Sequence, residues 1–333
     1  MKQPFQSEDI ERKALLILKI LNESAEPLGA RVIARRMKYS GLDLSERTVR
    51  YHLKFMDERG LTKLIGRQDG RSITDHGRDE LLNARVQDKV SLCSSRIDLL
   101  AFKTTFNLSK KQGMVPVNIS LFPKDQFKNA LEAMKPAFRD KISVCDRVAV
   151  AYGGEKLGDV IVPDGKIGLA TVCSILINGI LLKSGVPIDS KFGGILQIKN
   201  GAPLRFVELI HYAGSSLDPS EIFIRGKMTS VNQVVEKGEG NILANFREIP
   251  AISISLVEDV MAAIKGLGIG GVLSIGGIGT PICETVVGVN KAGMILIGGL
   301  NPVACAHEQG IEADNLAMTT VMEFQDMQSI EEI

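Results

Sequence analysis

Apolar residues recur at helical spacing in three stretches near the start of the chain, and short polar turns separate these stretches. The first stretch, residues 7–21, opens with Ser7 followed by two acids, which suits a capped helix start. The second is ARVIARRM. The third runs from an N-cap at Ser45 to Gly60, a residue type that commonly ends helices. The periodicity predicts three successive helices.

The third predicted helix has an apolar side, and a hairpin pattern follows it. Val49, Leu53 and Met56 recur at i, i+4, i+7 spacing, which predicts that this side is buried. The β-prone runs LTKLI and SIT flank a polar, glycine-containing turn, as in a β-hairpin. Three helices and a hairpin in this order predict a winged helix-turn-helix domain. The segment DHGRDELLNARVQDKV, from about Asp75, predicts a linker helix after it.

The basic side of the third helix is suited to DNA. A helix is about as wide as the major groove of B-DNA, so its exposed side chains can reach base edges. The hairpin tip can meet phosphates or enter the adjacent minor groove. A winged helix that binds another protein is the alternative interpretation, and His52 is assigned to packing or solvent. The residues predicted to contact DNA are Ser45, Arg47, Thr48, Arg50, Tyr51, Lys54, Arg67 and Arg71.

From about residue 115 the chain is rich in β-prone residues and glycine, and its pattern repeats. VPVNISLFPKDQFKNALEAMKPAF and PAISISLVEDVMAAIKGLGI each predict a strand followed by a helix. VIVPDGKIGLATVCSILINGILLKSGVPID aligns without gaps on TVVGVNKAGMILIGGLNPVACAHEQGIEAD. The identical positions are Val162, Lys166, Gly168, Gly185 and Asp189 with Val287, Lys291, Gly293, Gly310 and Asp314.

The repeat predicts two halves, at about 115–200 and 250–325, each roughly strand, helix, three strands, helix, strand. Two such halves can pack as lobes of one mixed α/β domain, with a cleft between them that suits a small ligand. The expected organisation is a DNA-binding domain with its linker helix at 1–90, and a ligand-binding α/β domain with an internal pseudo-repeat at 91–333.

Charge and cysteine content narrow the function classes. The net charge of the 333 residues is +1, yet residues 28–71 contain 11 basic and 5 acidic residues. A local excess of this kind is typical of a surface that binds nucleic acid. The five cysteines and four histidines show no CxxC or metal-ligand spacing, which disfavours disulfides and metal sites. No apolar run reaches membrane-spanning length, so we expect a cytoplasmic protein without a membrane partner.

Candidate ligand contacts lie at the strand-to-helix joints of the repeat. TVCSILING brings Cys173 and Ser174 to one helix start. IGGLNPVA brings Gly298 and Gly299 to another, with Asn301 as the expected N-cap. Backbone N–H groups at a helix start favour an anion, although well-formed caps and glycine turns explain the same residues.

Two further motifs have open interpretations. Arg247, amid the apolar residues of ANFREIPA, fits either a structural ion pair, for example with Glu248, or a bidentate clamp on a carboxylate. HYAGSSLDPSEIFI offers His211 beside serines and an aspartate, but no catalytic relation among them follows from the sequence. An α/β enzyme with a regulatory winged helix is therefore the alternative function, supported by Cys173 at a helix start, where a thiolate is favoured.

The chain resembles the NrpR family of archaeal nitrogen-responsive transcriptional repressors. The matching segments in the DNA-binding domain at 1–90, here called the head, are SERTVRYHLKFMDERGL and ITDHGRDEL. Those in the α/β domain at 91–333, here called the body, are ATVCSILINGILLKSGVPIDSKFGGILQI, ELIHYAGSSLDPSEIFI, ILANFREIPA and GMILIGGLNPVACAHEQGIEA. The body motifs are specific to the family, whereas the head resembles winged helices in general.

The resemblance implies a dimeric repressor, not an enzyme, that binds an inverted-repeat DNA operator of nitrogen-assimilation genes and is released by the effector 2-oxoglutarate. Some members of the family carry two effector domains after one head, whereas this chain has room for one. It is therefore expected to act as a homodimer or with a separately encoded effector-domain protein of the same family. The residues that we expect to bind the effector are Thr171, Cys173, Ser174, Asn178, His211, Arg247, Gly298, Gly299 and Asn301.

Overall fold

The computed structural model divides the chain into two compact units, Met1–Val90 and Ser91–Ile333. The parts of the chain that it describes are residues 4–24, 26–39, 42–66, 70–83 and 92–333. None of the helices in these parts is both long enough and apolar enough to cross a membrane.

The first unit is a winged helix-turn-helix, as the apolar pattern predicts. Its elements in chain order are α1 (Pro4–Asn22), α2 (Ala30–Tyr39), α3 (Glu46–Glu58), β1 (Thr62–Gly66), β2 (Gly70–Ile73) and α4 (Asp75–Asn83). The first helix begins at Pro4, ahead of the start predicted at Ser7. The predicted linker helix is present as α4, and its continuation after Asn83 lies outside the described residues.

The predicted apolar side of α3 contributes to the core of this unit. Val49, Leu53 and Met56 are fully buried and pack with apolar side chains of α1 and α2. Burying each such side chain stabilises the fold by about 1.5–3 kcal/mol. Leu28 exchanges both backbone hydrogen bonds with Arg71, at 2.9 and 3.0 Å, and so adds a third segment to the hairpin of β1 and β2.

The second unit contains two five-stranded sheets with helices packed on them. Its strands are β3 (Met114–Pro123), β4 (Arg147–Tyr152), β5 (Lys156–Leu157), β6 (Val160–Ile161), β7 (Lys166–Val172), β8 (Asp189–Lys199), β9 (Ala202–His211), β10 (Gly240–Pro250), β11 (Val272–Ile275), β12 (Lys291–Ile297), β13 (Asp314–Glu323) and β14 (Gln328–Ser329). Its helices are α5 (Leu92–Lys103), α6 (Phe127–Arg139), α7 (Ile175–Lys183), α8 (Pro219–Arg225), α9 (Val231–Lys237), α10 (Ile254–Lys265) and α11 (Asn301–Glu308).

The two halves of the repeat form two lobes that exchange their last strands. The strand orders are β13-β3-β7-β4-β14 in one sheet and β11-β12-β10-β8-β9 in the other. Strand β8, the last of the first half, pairs with β10 of the second half, and β13, the last of the second half, pairs with β3 of the first. The helices mix in the same way, since α6 and α11 share one core and α7 and α10 share the other.

The central strands and the starts of the exchanged strands fall at aligned positions of the ungapped repeat. Strands β7 and β12 begin at the identical lysines, Lys166 and Lys291. Strands β8 and β13 begin at the identical aspartates, Asp189 and Asp314. The fold therefore preserves the spacing from strand through helix to the exchanged strand.

Two identical glycines of the repeat make room for two identical valines. A Cβ atom on Gly168 would lie 2.9 Å from Val162 Cγ2, and one on Gly293 would lie 3.0 Å from Val287 Cγ2. These separations are shorter than carbon atoms tolerate, so each glycine is required by the packing of its own half.

The strand predicted within PAISISL is wrong. The strand β10 ends at Pro250, residues Ala251–Ser253 form a 3-10 turn, and α10 begins at Ile254. The alternation in AISIS is misleading because Ile252 is 97% exposed at this turn. The true counterpart of β3 is β10, and both strands end at a proline that pairs with the first lysine of the neighbouring strand.

Candidate nucleic-acid interface and ligand cavity

Four of the predicted DNA contacts lie on the exposed basic side of α3. Arg47, Arg50, Tyr51 and Lys54 all project into solvent, and Tyr51 is 67% exposed. Arg50 forms an ion pair with Glu46, one helical turn earlier. Because both side chains are well exposed, the pair contributes little to stability, and a DNA group can replace Glu46.

Ser45 and Thr48 fix the start of α3. The backbone N–H of Thr48 donates to Ser45 Oγ at 3.1 Å, and the two hydroxyl oxygens lie 2.8 Å apart. Ser45 is therefore the N-cap of α3, as predicted. His52 is buried, 4% exposed, which agrees with its assignment to packing.

Arg71 is held within the head by an ion pair, and its contact with the DNA phosphates stays a prediction. Its Nε donates to Asp57 Oδ2 at 2.7 Å, and Thr62 Oγ1 donates to the other carboxylate oxygen at 2.5 Å. The carboxylate at the end of α3 thereby holds β1 and β2. Arg71 orients the hairpin relative to α3, and Arg67, the other predicted hairpin contact, lies outside the described residues.

Helix α2 adds basic residues that the sequence analysis did not assign to DNA. Arg31 and Arg35 are exposed and lie four residues apart, so they share one face of the helix. The helix before the recognition helix crosses the DNA backbone in helix-turn-helix proteins. The spacing of these arginines was legible in ARVIARRM, and phosphate contact is the role that their position suits.

A small polar cavity lies between the two halves of the second unit. Its volume is about 20 Å³, roughly the room that one water molecule needs. Both halves and the segment between them contribute walls. The lining residues are Asn118, Cys173, Ser174, Ile175, Tyr212, Asp218, Ser220, Asn245, Arg247, Gly299, Leu300, Ala317 and Met318.

Arg247 is a fully buried cation in the wall of this cavity. Its side chain is 1% exposed. The Nε atom lies 3.4 Å from Asn178 Oδ1, and Nη1 lies 3.3 Å from the carbonyl oxygen of Phe246. The guanidinium carbon lies 5.0 Å from the centre of the Tyr212 ring, an attractive cation–π arrangement.

The ion pair that the sequence suggested between Arg247 and Glu248 is not formed. Glu248 instead accepts from Lys191 Nζ at 3.2 Å and from the backbone N–H of Gly288 at 2.7 Å. Among the described residues, no carboxylate lies within 4.0 Å of the Arg247 guanidinium. Buried charges are normally paired, so a carboxylate ligand would supply what the protein itself does not.

Two asparagines at equivalent positions of the repeat line the cavity, one on β3 and one on β10. Asn245 accepts a hydrogen bond from the Tyr212 hydroxyl and donates to Ser174 Oγ at 3.1 Å. Asn118 accepts from the backbone N–H of Met318 at 3.0 Å. These bonds fix the positions of Tyr212, Ser174 and Met318, the wall residues that other elements contribute.

The segment between the halves contributes two acids, Asp218 in the cavity wall and Glu221 beside the wall residue Ala317. Asp218 caps α8, accepting from the backbone N–H of Ser220 at 2.8 Å, and Glu221 accepts from the backbone N–H of Ala317 at 2.7 Å. Burial raises the pKa of the Asp218 carboxyl, and burial raises the pKa of Glu221 to about 7. The charge of Arg247 acts in the opposite direction to burial on the pKa of Asp218.

Several predicted effector contacts lie at or next to the cavity. Cys173, Ser174, Arg247 and Gly299 line it. Thr171 and Asn178 lie behind the wall. Thr171 Oγ1 donates to the carbonyl oxygen of Gly299 at 3.3 Å, and Asn178 Nδ2 donates to Ser190 Oγ at 3.0 Å while its oxygen faces Arg247.

The remaining predicted contacts have structural roles or lie elsewhere. The N–H of Gly298 donates to the carbonyl oxygen of Leu243 at 2.8 Å. Asn301 is not the N-cap of α11, since that position is Leu300; its side chain bonds both backbone groups of Leu243, at 2.8 and 2.9 Å. His211 lies at the exposed end of β9, beside an open surface notch of about 360 Å³ that is separate from the cavity.

Cys173 does not have the character of a catalytic thiolate. Its side chain is 5% exposed, and burial raises the pKa of its thiol to about 11. Its backbone N–H donates to the carbonyl oxygen of Pro116 at 2.8 Å, so this N–H is not directed at an anion. The structure thus removes the observation that favoured the enzyme alternative.

The sequence analysis missed several wall residues, namely Asn118, Tyr212, Asp218, Asn245 and Met318. A signal existed for the asparagines, because each interrupts an otherwise apolar strand, in VPVNISLF and NILANF. The error in placing the second strand of the repeat concealed their equivalence. Tyr212, Asp218 and Met318 come from less regular segments, and no pattern indicated them.

Comparisons with known proteins agree with both units. A sequence model of the NrpR regulatory domains NRD1 and 2 matches residues 90–329. A model of the ribonuclease R winged-helix domain matches residues 15–81.

Three relatives share the full arrangement of this chain. It is 39% identical over 96% of its length to the global nitrogen regulator NrpRI of Methanosarcina mazei, covering 98% of that protein. It is 34% identical to the global nitrogen regulator NrpR of Methanococcus maripaludis and 30% identical to that of Methanocaldococcus jannaschii. These two matches cover 94% and 97% of this chain but only 54% and 56% of the relatives, so the chain spans about half of their length.

A solved structure supports the fold of the second unit. The crystal structure of a nitrogen repressor-like protein from Methanococcus jannaschii superposes with a TM-score of 0.61 at 27% identity. The match covers 72% of this chain and 98% of that one.

Proposed function

The chain belongs to the NrpR family, and we propose that it is a repressor of nitrogen-assimilation genes. In this proposal a dimer binds an inverted-repeat operator, and 2-oxoglutarate releases it. The names of the relatives support a role in nitrogen regulation. A repressor with this function acts in the cytoplasm, where its DNA is.

The exposed basic side of α3 supports DNA binding. Arg47, Arg50 and Lys54 project from the helix that a winged helix-turn-helix inserts into the major groove. Two such heads in a dimer would contact half-sites about one helical turn apart, which explains why the operator should be an inverted repeat. A homodimer is the simplest assembly, and a separately encoded effector-domain protein of the same family is the alternative partner.

Arg247 is the observation that carries the effector assignment. A buried guanidinium beside a cavity, with no carboxylate of the described residues within 4.0 Å, is suited to bind one carboxylate of a dicarboxylic acid. The amide groups of Asn118 and Asn245 can donate to the remaining oxygens. 2-Oxoglutarate, a five-carbon dicarboxylate with a keto oxygen, has this set of acceptors.

The test is binding of the full chain to an inverted-repeat promoter fragment from a nitrogen-assimilation gene, with a scrambled fragment as control. We expect specific binding that 2-oxoglutarate weakens and that succinate and glutamate do not. Arg50→Ala and Lys54→Ala should each weaken binding, whereas Glu80→Ala, an exposed change on α4, should not. Absence of specific binding would return the head to the protein-interaction alternative, and binding insensitive to 2-oxoglutarate would refute the effector assignment.

A further inference from the structure

The cavity is too small for the proposed effector, so effector binding requires a wall to move. Its volume of about 20 Å³ holds roughly one water molecule, whereas a five-carbon dicarboxylate needs several times that volume. Asn118 and Asn245 lie on central strands of the two sheets. Closely packed strands of this kind resist displacement, so the movable wall is expected elsewhere.

One wall segment departs from the regular sheet. Strand β13 pairs with β3 at Leu316 and again at Thr320, and residues 317–319 lie opposite the single residue Asn118. We call residues 317–319 the β13 bulge. Within it Met318 has φ 50°, a left-handed conformation that costs a non-glycine residue about 1–2 kcal/mol. A bulge in a strained conformation can change shape at lower cost than the strands beside it.

Side chains from three elements hold the backbone of the β13 bulge. Glu221 of α8 accepts from the N–H of Ala317 at 2.7 Å, and Asn118 of β3 accepts from the N–H of Met318 at 3.0 Å. Arg96 of α5 donates Nε to the carbonyl oxygen of Met318 and Nη2 to that of Thr319, the latter at 2.7 Å. The bulge thus joins the cavity on one side to α5 on the other.

Helix α5 also packs directly on the cavity wall. Its buried side chains, Cys93, Ile97, Leu100 and Ala101, form one apolar cluster with the wall residues Cys173, Ile175, Tyr212 and Met318. Along the chain, α5 is the first helix of the second unit, and eight residues separate it from α4 of the DNA-binding unit. Helix α5 is therefore the helix of the second unit that lies nearest along the chain to the DNA-binding unit.

We propose that the β13 bulge and the Arg96 clamp transmit occupancy of the cavity to α5 and hence to the DNA-binding unit. This inference rests on the proposed function and adds the element that couples its two parts. An effector entering beside Asn118 displaces Met318, the carbonyl oxygens held by Arg96 move with it, and α5 follows. Arg96 is a positioning residue in this scheme, since it lines neither the cavity nor the DNA-binding side of the head.

The test separates coupling from binding by replacing Arg96 in the full chain. Arg96→Gln should leave the affinity for 2-oxoglutarate and the affinity for operator DNA, each measured alone, within about threefold of the wild type. The coupling between them should fall from at least about tenfold, in the usual range for allosteric proteins, to less than about twofold. Because coupling is reciprocal, DNA should also cease to weaken 2-oxoglutarate binding in this variant.

Arg147→Gln is the matched control. Arg147 also donates to a backbone carbonyl oxygen of the second unit, that of Met327 at 2.7 Å, and its guanidinium lies over the Phe324 ring. It lines no part of the cavity. We expect this variant to retain the coupling of the wild type.

The outcomes distinguish the inference from the function on which it rests. Wild-type coupling in Arg96→Gln would overturn the inference and leave the proposed function intact. No effect of 2-oxoglutarate on the wild-type protein would overturn both. Equal loss of coupling in Arg96→Gln and Arg147→Gln would indicate general loosening of the unit and would also overturn the inference.

Hydrogen exchange of the wild-type protein decides the matter if Arg96→Gln fails to fold. Saturation with 2-oxoglutarate should change the exchange of amides in residues 92–103 and 317–319 by at least about fivefold, with little change in β4 beside Arg147. Unchanged exchange in the first two segments would overturn the inference without any variant.

Discussion

The two halves of the regulatory unit share a frame but differ where the ligand and its coupling are proposed to act. Asn118 and Asn245 occupy the same position on β3 and β10, and both line the cavity. Two residues further along, the first half has Ser120 and the second half has Arg247. The exchanged strands differ as well, since β13 bulges by three residues opposite Asn118, whereas β8 pairs with β10 with a single-residue irregularity.

Comparing the two halves separates the residues that the fold requires from the residues that the ligand site requires. Residues kept in both halves, such as the glycine–valine pairs, maintain the packing of a lobe. Residues that differ break the pseudo-symmetry and give the cavity one cationic side. A cavity with one cationic side orients a ligand whose two ends differ, as those of 2-oxoglutarate do.

The largest expected effect comes from removing the charge that distinguishes the second half from the first at this position. Arg247→Gln should lower the affinity for 2-oxoglutarate about 100-fold, because a charge-assisted bidentate contact is worth roughly 3 kcal/mol. Calorimetric titration of the folded full chain measures it. Ser120→Ala, at the equivalent position of the first half, is the control and should change the affinity less than about threefold. Equal affinities for Arg247→Gln and the wild type would remove Arg247 from the site.

A smaller effect tests the glycine–valine packing that the two halves share. Gly168→Ala and Gly293→Ala should each lower the free energy of unfolding by about 1–3 kcal/mol, since the added methyl group overpacks the core. Gly293→Ala should cost more, because its Cβ would meet Ile282 at 2.7 Å and Phe246 at 2.9 Å as well as Val287. Denaturant unfolding measures both.

The pairing of each glycine with its valine can be tested in the same experiment. Adding Val162→Ala to Gly168→Ala should recover part of the loss, giving a favourable coupling energy in a double-mutant cycle. The same should hold for Val287→Ala with Gly293→Ala. Additive losses in both halves would contradict the claim that these glycines exist to accommodate the valines.

A pH-dependent effect concerns Glu221, which comes from the segment between the halves and has no counterpart in the repeat. Burial raises its pKa from 4.5 to about 7, so the folded state holds a proton that the unfolded state has lost. The contribution of this group to stability is therefore present below pH 4.5 and is lost as the pH rises towards 7.

Glu221→Gln keeps an acceptor for the N–H of Ala317 and removes the titration. The stability of the variant relative to the wild type should rise by roughly 3 kcal/mol from pH 4.5 to pH 8, since each pKa unit corresponds to about 1.4 kcal/mol. Thermal unfolding at several pH values measures the difference. A difference that stays constant across this range would show that Glu221 does not titrate as its burial implies.

The sequence predicted the frame more fully than the site. Helical periodicity located the head helices and the buried side of α3, and the ungapped repeat located β7, α7, β12 and α11 and the starts of β8 and β13. The exchange of the last strands could not be read from the repeat, because an exchanged strand and a retained one bury the same apolar pattern. The helix α5 was not identified.

The site was predicted only where a residue type itself signalled chemistry. Arg247 stood out as a charge in an apolar strand, and Ser174 and Gly299, predicted at helix starts, line the same cavity. His211 and Asn301 do not line the cavity, because a polar side chain near a turn gives no indication of which surface it faces. Arg71 shows the same limit, since its partner Asp57 is fourteen residues away in sequence.

The most direct test of the account is a crystal structure of the full chain bound to 2-oxoglutarate. The account predicts one carboxylate of the ligand on the Arg247 guanidinium, the remaining oxygens near Asn118 and Asn245, and a displaced β13 bulge. Ligand bound at another place, such as the surface notch beside His211, with the cavity unchanged, would contradict it.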